Sequence, residues 1–325
     1  MRVLLVRLDG IGDAAVCAPL LLALREAGHE VGAALTTRNA GLFAPGTLAA
    51  EHVLERIPWP AHGSTPESAA RARDEIAAAR YDVALVASEE PEAYALATAI
   101  PRRIGFSTGW QRPLKTLWVR SRLTRAVRRT QRAGRERTHE VEVLYRLGHG
   151  LVAPGPPAAD PVPLRALFAA GPEPARAGVV VQAGPKWEAA GVPAAALREA
   201  VAAAGTAAGA TGITTPPLRI LAAPAEAAAV EAALGRKPDV PADLRAWVGA
   251  LDVAAAVVTT DTGAAHVAGM LGVPVVDVFP DAGFAAQVRR WSPWAAPFVA
   301  LRASEVAGDP TRAIETALDG LRTRS

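Results

Sequence analysis

A short loop in the last third of the sequence combines an acid, a hydroxyl and a glycine at the start of a segment of small residues. Asp261-Thr262-Gly263 follows an apolar, β-branched run and precedes Ala264 and His266. This pattern predicts a strand, a loop and a short helix. The first N–H groups of a helix lack partners within it, and a glycine lets an anion approach them closely. We therefore expect the N–H groups of Thr262, Gly263 and Ala264 to bind a ligand that carries phosphate.

Asp261 and His266 also have structural explanations that the sequence leaves open. The Asp261 carboxylate can cap the helix that follows it. His266 can be a hydrogen-bonded polar residue on the flank of that helix. A helix cap and a ligand site are both consistent with this loop.

A second acidic loop lies near the N-terminus. Asp9-Gly10-Ile11-Gly12-Asp13 connects the first apolar run to a helical segment and lacks the third glycine of the dinucleotide-binding fingerprint. A carboxylate at the start of this helix, beyond the carboxyl end of a strand, can accept a proton from a substrate hydroxyl. Asp13 is the candidate for that role. The alternative is that Asp13 caps the helix.

Two loops in the second half each carry one charged residue. Lys186 follows the strand predicted at 178–182, and Glu226 follows the strand predicted at 218–222. Lys186 is one of only three lysines in the chain, so its position in a loop is conspicuous. Ligands of open α/β sheets bind beyond the carboxyl ends of the strands. We expect the loops of Lys186, Glu226 and Asp261 to converge at one edge of a sheet.

The segments that position these loops alternate between strand and helix, which predicts parallel sheets covered by helices. The predicted strands are 3–8, 31–35, 81–87, 178–182, 218–222 and the apolar runs on either side of the Asp261 loop. The predicted helices are 14–27, 68–80, 92–99, 139–147, 193–204, a helix that ends at 234, 244–251 and 311–321.

A stretch rich in Pro and Gly at 153–163 interrupts this alternation. Together with further Pro and Gly at 171–174, it marks a domain boundary. We predict a first domain over residues 1–160 and a second over 175–325. The closing helix either completes the second domain or returns to the first.

The composition is that of a globular chain without disulfides. Half of the 325 residues are hydrophobic, the formal net charge is +3, and the pI is near 9.4 because nearly all the positive charge is arginine. Cys17 is the only cysteine, which excludes a disulfide framework and a cysteine-based metal site. The apolar runs are shorter than the roughly 20 residues that span a bilayer, and Arg7 and Asp9 interrupt the first of them. We expect a cytoplasmic protein.

The segment 112–137 is strongly basic. It contains ten basic residues and one acidic residue, Glu136. Such a run is commonly a solvated or mobile segment. The alternatives are a clamp for an anionic substrate, peripheral contact with the cytoplasmic face of the inner membrane, and nucleic-acid binding. Aromatic residues are few here, with only Trp110 and Trp118, so binding of single strands by base stacking is not expected.

Taken together, these motifs resemble glycosyltransferase family 9, the heptosyltransferase family that builds the inner core of lipopolysaccharide. The matching residues occur in the family's order across nearly the whole length. They are Arg7, Gly12-Asp13, Pro19, Tyr81-Asp82, Arg103-Ile104-Gly105-Phe106, Lys186-Trp187, Pro224, Glu226, Asp261-Thr262-Gly263, His266 and Leu271-Gly272-Val273-Pro274. The Asp-Thr-Gly-x-x-His element is fairly specific, and the others gain weight in combination.

The resemblance implies a GT-B architecture, in which two Rossmann-like, parallel-sheet domains face a central cleft. The first domain would bind the acceptor, a glycan or lipopolysaccharide core. The second would bind the donor, a nucleotide-sugar with an ADP-linked, heptose-like sugar. The reaction would invert the anomeric centre.

The resemblance also implies roles for individual residues. Asp13 would be the general base, Lys186 would hold the diphosphate and Glu226 the nucleoside. The remaining donor-site residues, which would contact the phosphates or the sugar, are Asp261, Thr262, Gly263 and His266. The acceptor-site residues would be Arg7, Gly12, Arg120, Arg125 and Arg128.

The residue types are consistent with transfer that uses no metal and no cofactor. A diphosphate leaving group develops negative charge, which a metal or fixed donors must stabilise. The sequence has no Asp-x-Asp element, and its six histidines are scattered. Lys186 and the helix start at Gly263 are the available donors. A single displacement with inversion needs one base, which fits Asp13.

Three loops depart from the usual family pattern and motivate a second hypothesis. They are Ala183-Gly184-Pro185 before the lysine, Ala222-Ala223 before Pro224, and Phe279-Pro280 after the last strand, where proline removes an amide donor. A non-catalytic nucleotide-sugar-binding protein on the same scaffold is the principal alternative. A Rossmann oxidoreductase is disfavoured by the missing glycine, and no nucleic acid is expected as a partner.

Overall fold

The structure, a computed structural model, describes residues 1–57, 63–107, 112–129, 138–209 and 218–323. These residues form two compact units. The first consists of the described residues within 1–132 and 140–158, and the second of 138, 139 and the described residues from 159 to 323. Each unit is built on a parallel sheet with connecting helices, which confirms the predicted fold class of two Rossmann-like α/β domains.

In the described part of the first unit, parallel strands lie in the order β3-β2-β1-β4-β5-β6. The strands are β1 (Arg2–Val6), β2 (Glu30–Thr36), β3 (Glu51–Leu54), β4 (Val83–Val86), β5 (Arg102–Ser107) and β6 (Arg125–Arg128). The helices are α1 (Ile11–Ala15), α2 (Ala18–Glu26), α3 (Pro66–Ala79), α4 (Pro91–Leu96), α5 (Pro113–Arg122) and α6 (Glu140–Tyr145). In sheets of this order the ligand crevice lies at the switch point, between β1 and β4.

In the second unit, the described parallel strands lie in the order β11-β10-β9-β7-β8. The strands are β7 (Val179–Gln182), β8 (Leu218–Leu221), β9 (Ala256–Thr260), β10 (Val275–Phe279) and β11 (Phe298–Arg302). The helices are α7 (Pro161–Arg165), α8 (Lys186–Ala190), α9 (Ala194–Gly209), α10 (Ala227–Leu234), α11 (Leu244–Asp252), α12 (Gly263–Met270), α13 (Phe284–Trp291), α14 (Ala303–Gly308) and α15 (Pro310–Arg322). This is the other common doubly wound order, and its switch point lies between β7 and β9.

The central strands are apolar on both faces because helices cover both sides of each sheet. Leu4 and Val6 of β1 pack in one buried cluster with Ile76 of α3. In the second unit, Val258 of β9 and Val278 of β10 belong to a cluster built mainly with α9, α14 and α15. The helices therefore hold each sheet rigidly, and the loops at the strand ends are fixed by the strand order.

The helix predicted at 14–27 differs from the observed structure. It is divided into α1 and α2, with Val16 and Cys17 between them. Pro19 has no N–H to donate to the carbonyl of Ala15, which favours a break at this position. Gly28, with a φ of 74°, follows the end of α2 in the left-handed conformation that glycine allows.

The sequence pattern did not predict β3, β5, β6, β11, α5, α7, α8, α13 and α14. Three of these are strands at the edges of the two sheets. Edge strands face solvent on one side, which weakens the apolar pattern that identifies a strand. The described part of the basic segment 112–137 is folded as α5 and β6, whereas 130–137 lie outside the described residues.

The closing helix, α15, lies in the second unit and not in the first. It packs against α9, α14, β10 and β11. Its buried face, which includes Ile314, Leu318 and Leu321, is part of the second unit's core. Within the described ranges, no helix combines the length and apolar character needed to span a bilayer.

Candidate active site

The loops that follow β7 and β9 meet at the switch point of the second sheet. The two strands are adjacent, and Lys186 Nζ donates a hydrogen bond of 3.1 Å to the carbonyl oxygen of Asp261. Lys186 is the first residue of α8, and its side chain is exposed to solvent. An ammonium group has three N–H donors, so two remain for an anionic ligand.

Glu226 approaches the same edge from the loop that follows β8. A Cβ atom placed on Gly184 would lie 2.8 Å from Glu226 Oε2, so the carboxylate packs against the backbone of Gly184. Glu226 is the N-cap residue of α10 but makes no side-chain cap. Burial raises the pKa of its carboxyl above the ordinary value. The loops of Lys186, Glu226 and Asp261 therefore meet at one edge of the sheet.

Thr262, and not Asp261, caps helix α12. Thr262 Oγ1 accepts a hydrogen bond of 3.2 Å from the N–H of Ala264 and lies 2.9 Å from Thr259 Oγ1. The expectation that the Ala264 N–H is open to a ligand is therefore wrong, because the cap uses it. Among the described residues, nothing accepts a hydrogen bond from the N–H of Thr262 or Gly263, so these two groups remain for an anion.

The Asp261 carboxylate lies against His266 instead of capping the helix. Asp261 Oδ1 is 3.7 Å from His266 Nε2, a distance that forms an ion pair only when the imidazole is protonated. His266 is buried, and its ring lies 5.6 Å from that of Trp291 on α13, between centroids. His266 is thus held inside the unit, directly behind the loop Asp261-Thr262-Gly263.

Asp277 lies beneath this loop and was not singled out from the sequence. It is on β10, in register with Thr259, and its side chain is fully buried. Neither carboxyl oxygen has a hydrogen-bond partner among the described residues. Burial raises the pKa of Asp277 well above that of a free aspartate; Asp261 adds to this rise and Lys186 opposes it. Its only sequence signal is an acid inside the apolar run that continues from Val273 to Phe279.

Gln182, at the end of β7, connects two tryptophans to the same edge. Its carbonyl accepts a hydrogen bond of 2.9 Å from Trp187 Nε1, and its side-chain oxygen accepts one of 2.8 Å from Trp247 Nε1. Trp187 is buried and anchors α8, which carries Lys186. Trp247 of α11 is partly exposed and was not identified from the sequence.

In the first unit, Arg7 holds Asp13 at the carboxyl end of β1. Arg7 Nη2 donates a hydrogen bond of 2.7 Å to Asp13 Oδ1, and Arg7 Nε donates one of 3.0 Å to the Asp13 carbonyl. The second carboxylate oxygen accepts a hydrogen bond of 3.2 Å from the N–H of Gly10, in a capping box. Asp13 therefore does cap α1, as the structural alternative predicts, although Gly10 is the N-cap residue. Its side chain remains 35% exposed.

Arg7 is itself buried and held from several sides. It also donates to the carbonyl oxygen of Ala87, beyond the end of β4. Burial opposes its positive charge, but the neighbouring acidic groups outweigh this and raise the pKa of the guanidinium. Burial raises the pKa of the nearby Cys17 thiol to about 12, so this cysteine is a neutral thiol and not a nucleophile.

Comparison with solved structures identifies the architecture. The chain superposes on a family 9 glycosyl transferase from Veillonella parvula with a TM-score of 0.73 and 14% identity, covering 100% of this chain and 97% of that one. The superposition on E. coli heptosyltransferase WaaC with ADP has a TM-score of 0.70 and 20% identity, covering 98% of this chain and 99% of that one. The superposition on E. coli ADP-heptose heptosyltransferase II has a TM-score of 0.67 and 13% identity, covering 100% of this chain and 99% of that one. This chain has the glycosyltransferase family 9 fold.

No protein-family model matches the chain, and no curated protein matches it. The glycosyltransferase family 9 fold confirms the architecture that the spaced motifs implied.

The basic segment 112–137 contributes described side chains of two kinds, some that point inward and some that are exposed. Lys115 and Arg129 point inward, where they contact Glu89 at 2.6 and 2.8 Å, and Arg129 also contacts the buried Glu140 at 2.5 Å. Burial opposes the charge of Glu89, but these cations outweigh it and lower its pKa. Because Glu89 follows β4, the inward group lies near the switch point of the first sheet.

The predicted acceptor residues Arg120, Arg125 and Arg128 form the second group and are exposed. Arg125 begins β6, at the end of the sheet opposite to Asp13, and donates a hydrogen bond of 2.7 Å to the carbonyl of His149. Arg128 ends β6, at the same end as Asp13, although β6 lies three strands away from β1. Gly12 lies in α1, and its carbonyl accepts from the N–H of Val16 at 3.0 Å.

The unusual loop Ala183-Gly184-Pro185 has a structural explanation. Gly184 makes room for the Glu226 carboxylate, and Pro185 is the N-cap residue of α8. After β10 and Pro280, the side chain of Asp281 accepts hydrogen bonds from the Ser304 N–H and hydroxyl at 3.1 and 2.6 Å. In the part of the chain that the structure describes, no three His, Cys, Asp or Glu residues are grouped as metal ligands.

Proposed function

We propose that this chain is an inverting, metal-independent glycosyltransferase. It transfers a heptose-like sugar from an ADP-linked donor to a glycan or lipopolysaccharide-core acceptor. The observation that supports this most directly is the convergence of Lys186, Glu226 and the Thr262 and Gly263 N–H groups at the switch point of the second sheet. That arrangement offers a cation and two backbone donors to an anion, with a carboxylate beside them. The structural neighbours solved with ADP are consistent with it.

On the donor side, the bond between the anomeric carbon and the diphosphate oxygen breaks, and the diphosphate takes the electron pair. Lys186 Nζ and the N–H groups of Thr262 and Gly263 stabilise the negative charge that develops there. The start of α12 adds its positive dipole end. Glu226 accepts hydrogen bonds from the hydroxyl groups of the nucleoside. The buried His266 lies against the partly exposed Asp261 carboxylate, and this contact fixes the conformation of the loop.

On the acceptor side, a hydroxyl oxygen forms the new bond to the anomeric carbon and loses its proton to Asp13. The contacts of Asp13 with Arg7 and Gly10 use one site on each oxygen, and a carboxylate has about four such sites. The carboxylate therefore remains able to accept the proton while Arg7 fixes its orientation. Arg7, Gly12, Arg120 and Arg128 are the proposed acceptor contacts, and the protein acts at the cytoplasmic face of the membrane. Arg125 is not retained among them, because it lies at the end of the sheet opposite to Asp13.

Calorimetric binding of nucleotides tests the donor site. ADP is compared with UDP, GDP and dTDP, each with magnesium and with EDTA. We expect ADP to bind equally well in EDTA, and Lys186→Ala to lose about 1.5–3 kcal/mol, or about tenfold to hundredfold in affinity, as for a charge-assisted hydrogen bond. Lys237→Ala, which removes an exposed lysine of the same unit, is the matched control and leaves affinity unchanged. Equal loss in both variants, or no nucleotide binding, contradicts the proposed site.

The non-catalytic nucleotide-sugar-binding protein remains the second candidate. It is favoured by one observation: both Asp13 oxygens already accept hydrogen bonds, one from Arg7 and the other from the Gly10 N–H that Asp13 caps.

Asp13→Asn distinguishes the two candidates. As the base of the transferase, Asp13 contributes about 10²–10⁴-fold to kcat, so the variant loses that much transfer while its ADP affinity is unchanged. The control is Asp82→Asn, because Asp82 lies at the opposite end of the sheet and its carboxylate accepts a hydrogen bond from the Arg2 N–H. A wild-type protein that binds donor but neither transfers nor slowly hydrolyses it supports the binding protein.

A further inference from the structure

Helix α5 presents three large apolar side chains to solvent. Leu114 is 81% exposed, Leu117 66% and Trp118 38%. Seven large apolar residues are exposed in the described part of the chain, and three of them lie within these five positions. Isolated exposed leucines are ordinary, but a group on one helix indicates an interaction surface.

These side chains occupy one face of the helix. Successive residues are about 100° apart, so Leu117, Leu114 and Trp118 together span an arc of about 100°. Thr116 and Val119 are buried on the opposite face, where α5 packs against β5 and β6. The helix is therefore seated in the first unit by one face and leaves its apolar face outward.

Arginines flank the apolar face on both sides. Arg120 and Arg122 are exposed and lie to either side of the arc, and Arg128 is exposed on the neighbouring strand β6. Among the described residues, none of these three has an acidic partner. Residues 112–129 contain seven basic and no acidic residues. The surface around α5 is thus strongly positive.

Trp118 is held in a defined position on this surface. Its ring lies 5.4 Å from that of Tyr94 in an edge-on contact, and the guanidinium of Arg122 lies over it at 5.4 Å. A tryptophan that is partly exposed and stacked with a cation is the side-chain type that sits at the boundary between lipid chains and headgroups.

We propose that α5 is an interfacial anchor, which inserts Leu114, Leu117 and Trp118 into an anionic lipid bilayer. A convex apolar helix face flanked by cations matches the needs of such a surface: the leucines enter the acyl boundary and the arginines contact lipid phosphates. Nucleic acid would pair with the arginines but would leave the leucines in water. The inference deepens the membrane contact included in the proposed function and does not depend on the sugar donor.

Vesicle binding tests the anchor. The whole chain is sedimented with vesicles of phosphatidylcholine alone, or with 30% phosphatidylglycerol, on the order of the anionic content that attracts basic segments. We expect binding to the anionic vesicles that weakens with added salt, and a partition coefficient about tenfold or more lower for Leu114→Ser/Leu117→Ser. Val162→Ser, which removes an apolar side chain 70% exposed in the second unit, is the control and binds as the wild type does.

Fluorescence quenching by brominated phosphatidylcholine gives a second measurement. Quenching is expected in the wild type on anionic vesicles, and the component from Trp118 is lost in Trp118→Phe. Equal binding of the double-serine variant and the wild type overturns the anchor. So does a wild-type dimer that becomes a monomer in that variant, because the face is then a contact between two copies of the chain. The anchor is also overturned if the wild type binds duplex DNA but not vesicles, and the double-serine variant retains the DNA binding in full.

Nucleotide affinity separates this inference from the proposed function. ADP binding is measured on the same samples, and the double-serine variant leaves it unchanged. A wild-type protein that binds ADP but does not bind anionic vesicles rejects the anchor alone. Vesicle binding without any nucleotide binding rejects the proposed transferase and leaves the anchor.

Discussion

At the scale of single residues, Asp277 is the least expected feature of the molecule. A carboxyl that is fully buried without a hydrogen-bond partner is costly unless it is neutral. Burial, with Asp261 nearby, raises its pKa, while Lys186 lowers it. The folded chain therefore keeps this proton over a pH range in which the unfolded chain has lost it. We infer that the folded state favours the neutral form of Asp277 more strongly than the unfolded chain does.

This predicts how the stability of Asp277→Asn depends on pH. Because the folded-state pKa is raised, the wild type loses stability as pH rises through the window above about 3.9, by at most about 1.4 kcal/mol per pH unit. An amide does not titrate, so Asp277→Asn should be more stable than the wild type at pH 8, and the difference should vanish towards pH 4. Urea unfolding from pH 4 to 9 measures this.

The control for this experiment is Asp319→Asn. Asp319 is 70% exposed in a surface pair with Arg322, so its removal should change stability little at any pH. A stability gap for Asp277→Asn that widens towards low pH contradicts the inference, because it means that the wild-type carboxyl is charged in the folded state.

At the scale of elements, the donor site depends on how closely the loops after β7 and β8 approach each other. Gly184 provides the space that Glu226 occupies, since an added Cβ would lie 2.8 Å from Oε2. The clash is with the end of a flexible side chain. Glu226 can therefore move away at small cost in stability, but its carboxylate then leaves its place against the backbone of Gly184.

Gly184→Ala is therefore expected to weaken ADP binding without unfolding the protein. The loss of one hydrogen bond to the nucleoside is about 1 kcal/mol, or about fivefold in affinity, measured by calorimetry. Gly249→Ala on α11, where an added Cβ meets nothing within 4 Å, is the matched control and should keep full affinity. If both variants bind ADP as the wild type does, Glu226 has no part in the site.

At the scale of the whole molecule, the boundary between the units is set by long-range pairing after the linker. Helix α7 begins at Pro161, capped by Asp160, and Arg165 reaches Asp252 of α11 in a two-point contact of 2.6 and 2.8 Å. Both side chains are buried. This pair fixes the start of the second unit to its own core.

Removing one partner of this pair should destabilise the second unit selectively. Asp252→Ala leaves a buried arginine without a counter-charge, which costs about 3–5 kcal/mol. Asp239→Ala breaks an exposed pair with Arg219 and should cost less than about 1 kcal/mol. Hydrogen exchange resolved by segment reports each unit separately. Faster exchange throughout the first unit in Asp252→Ala would show that the two units unfold together.

The sequence by itself determined the features that depend on neighbours along the chain. Apolar runs, helix-ending glycines and the acidic loops around Asp13 and Asp261 are local signals, and they predicted two parallel α/β domains. Lys186 and Glu226 were found for the same reason, since each follows a strand that the apolar pattern of the sequence predicts.

Tertiary structure decided what depends on strand order and depth. Only the fold shows that β7 and β9 are adjacent, that Thr262 takes the cap from Asp261, and that Asp277 is sealed beneath the loop. It also divides the basic segment into cations paired with Glu89 and Glu140 and cations that surround an exposed apolar face. The spacing of the basic residues along the sequence does not distinguish the paired cations from the exposed ones. The partners of each side chain lie on elements that are distant along the chain.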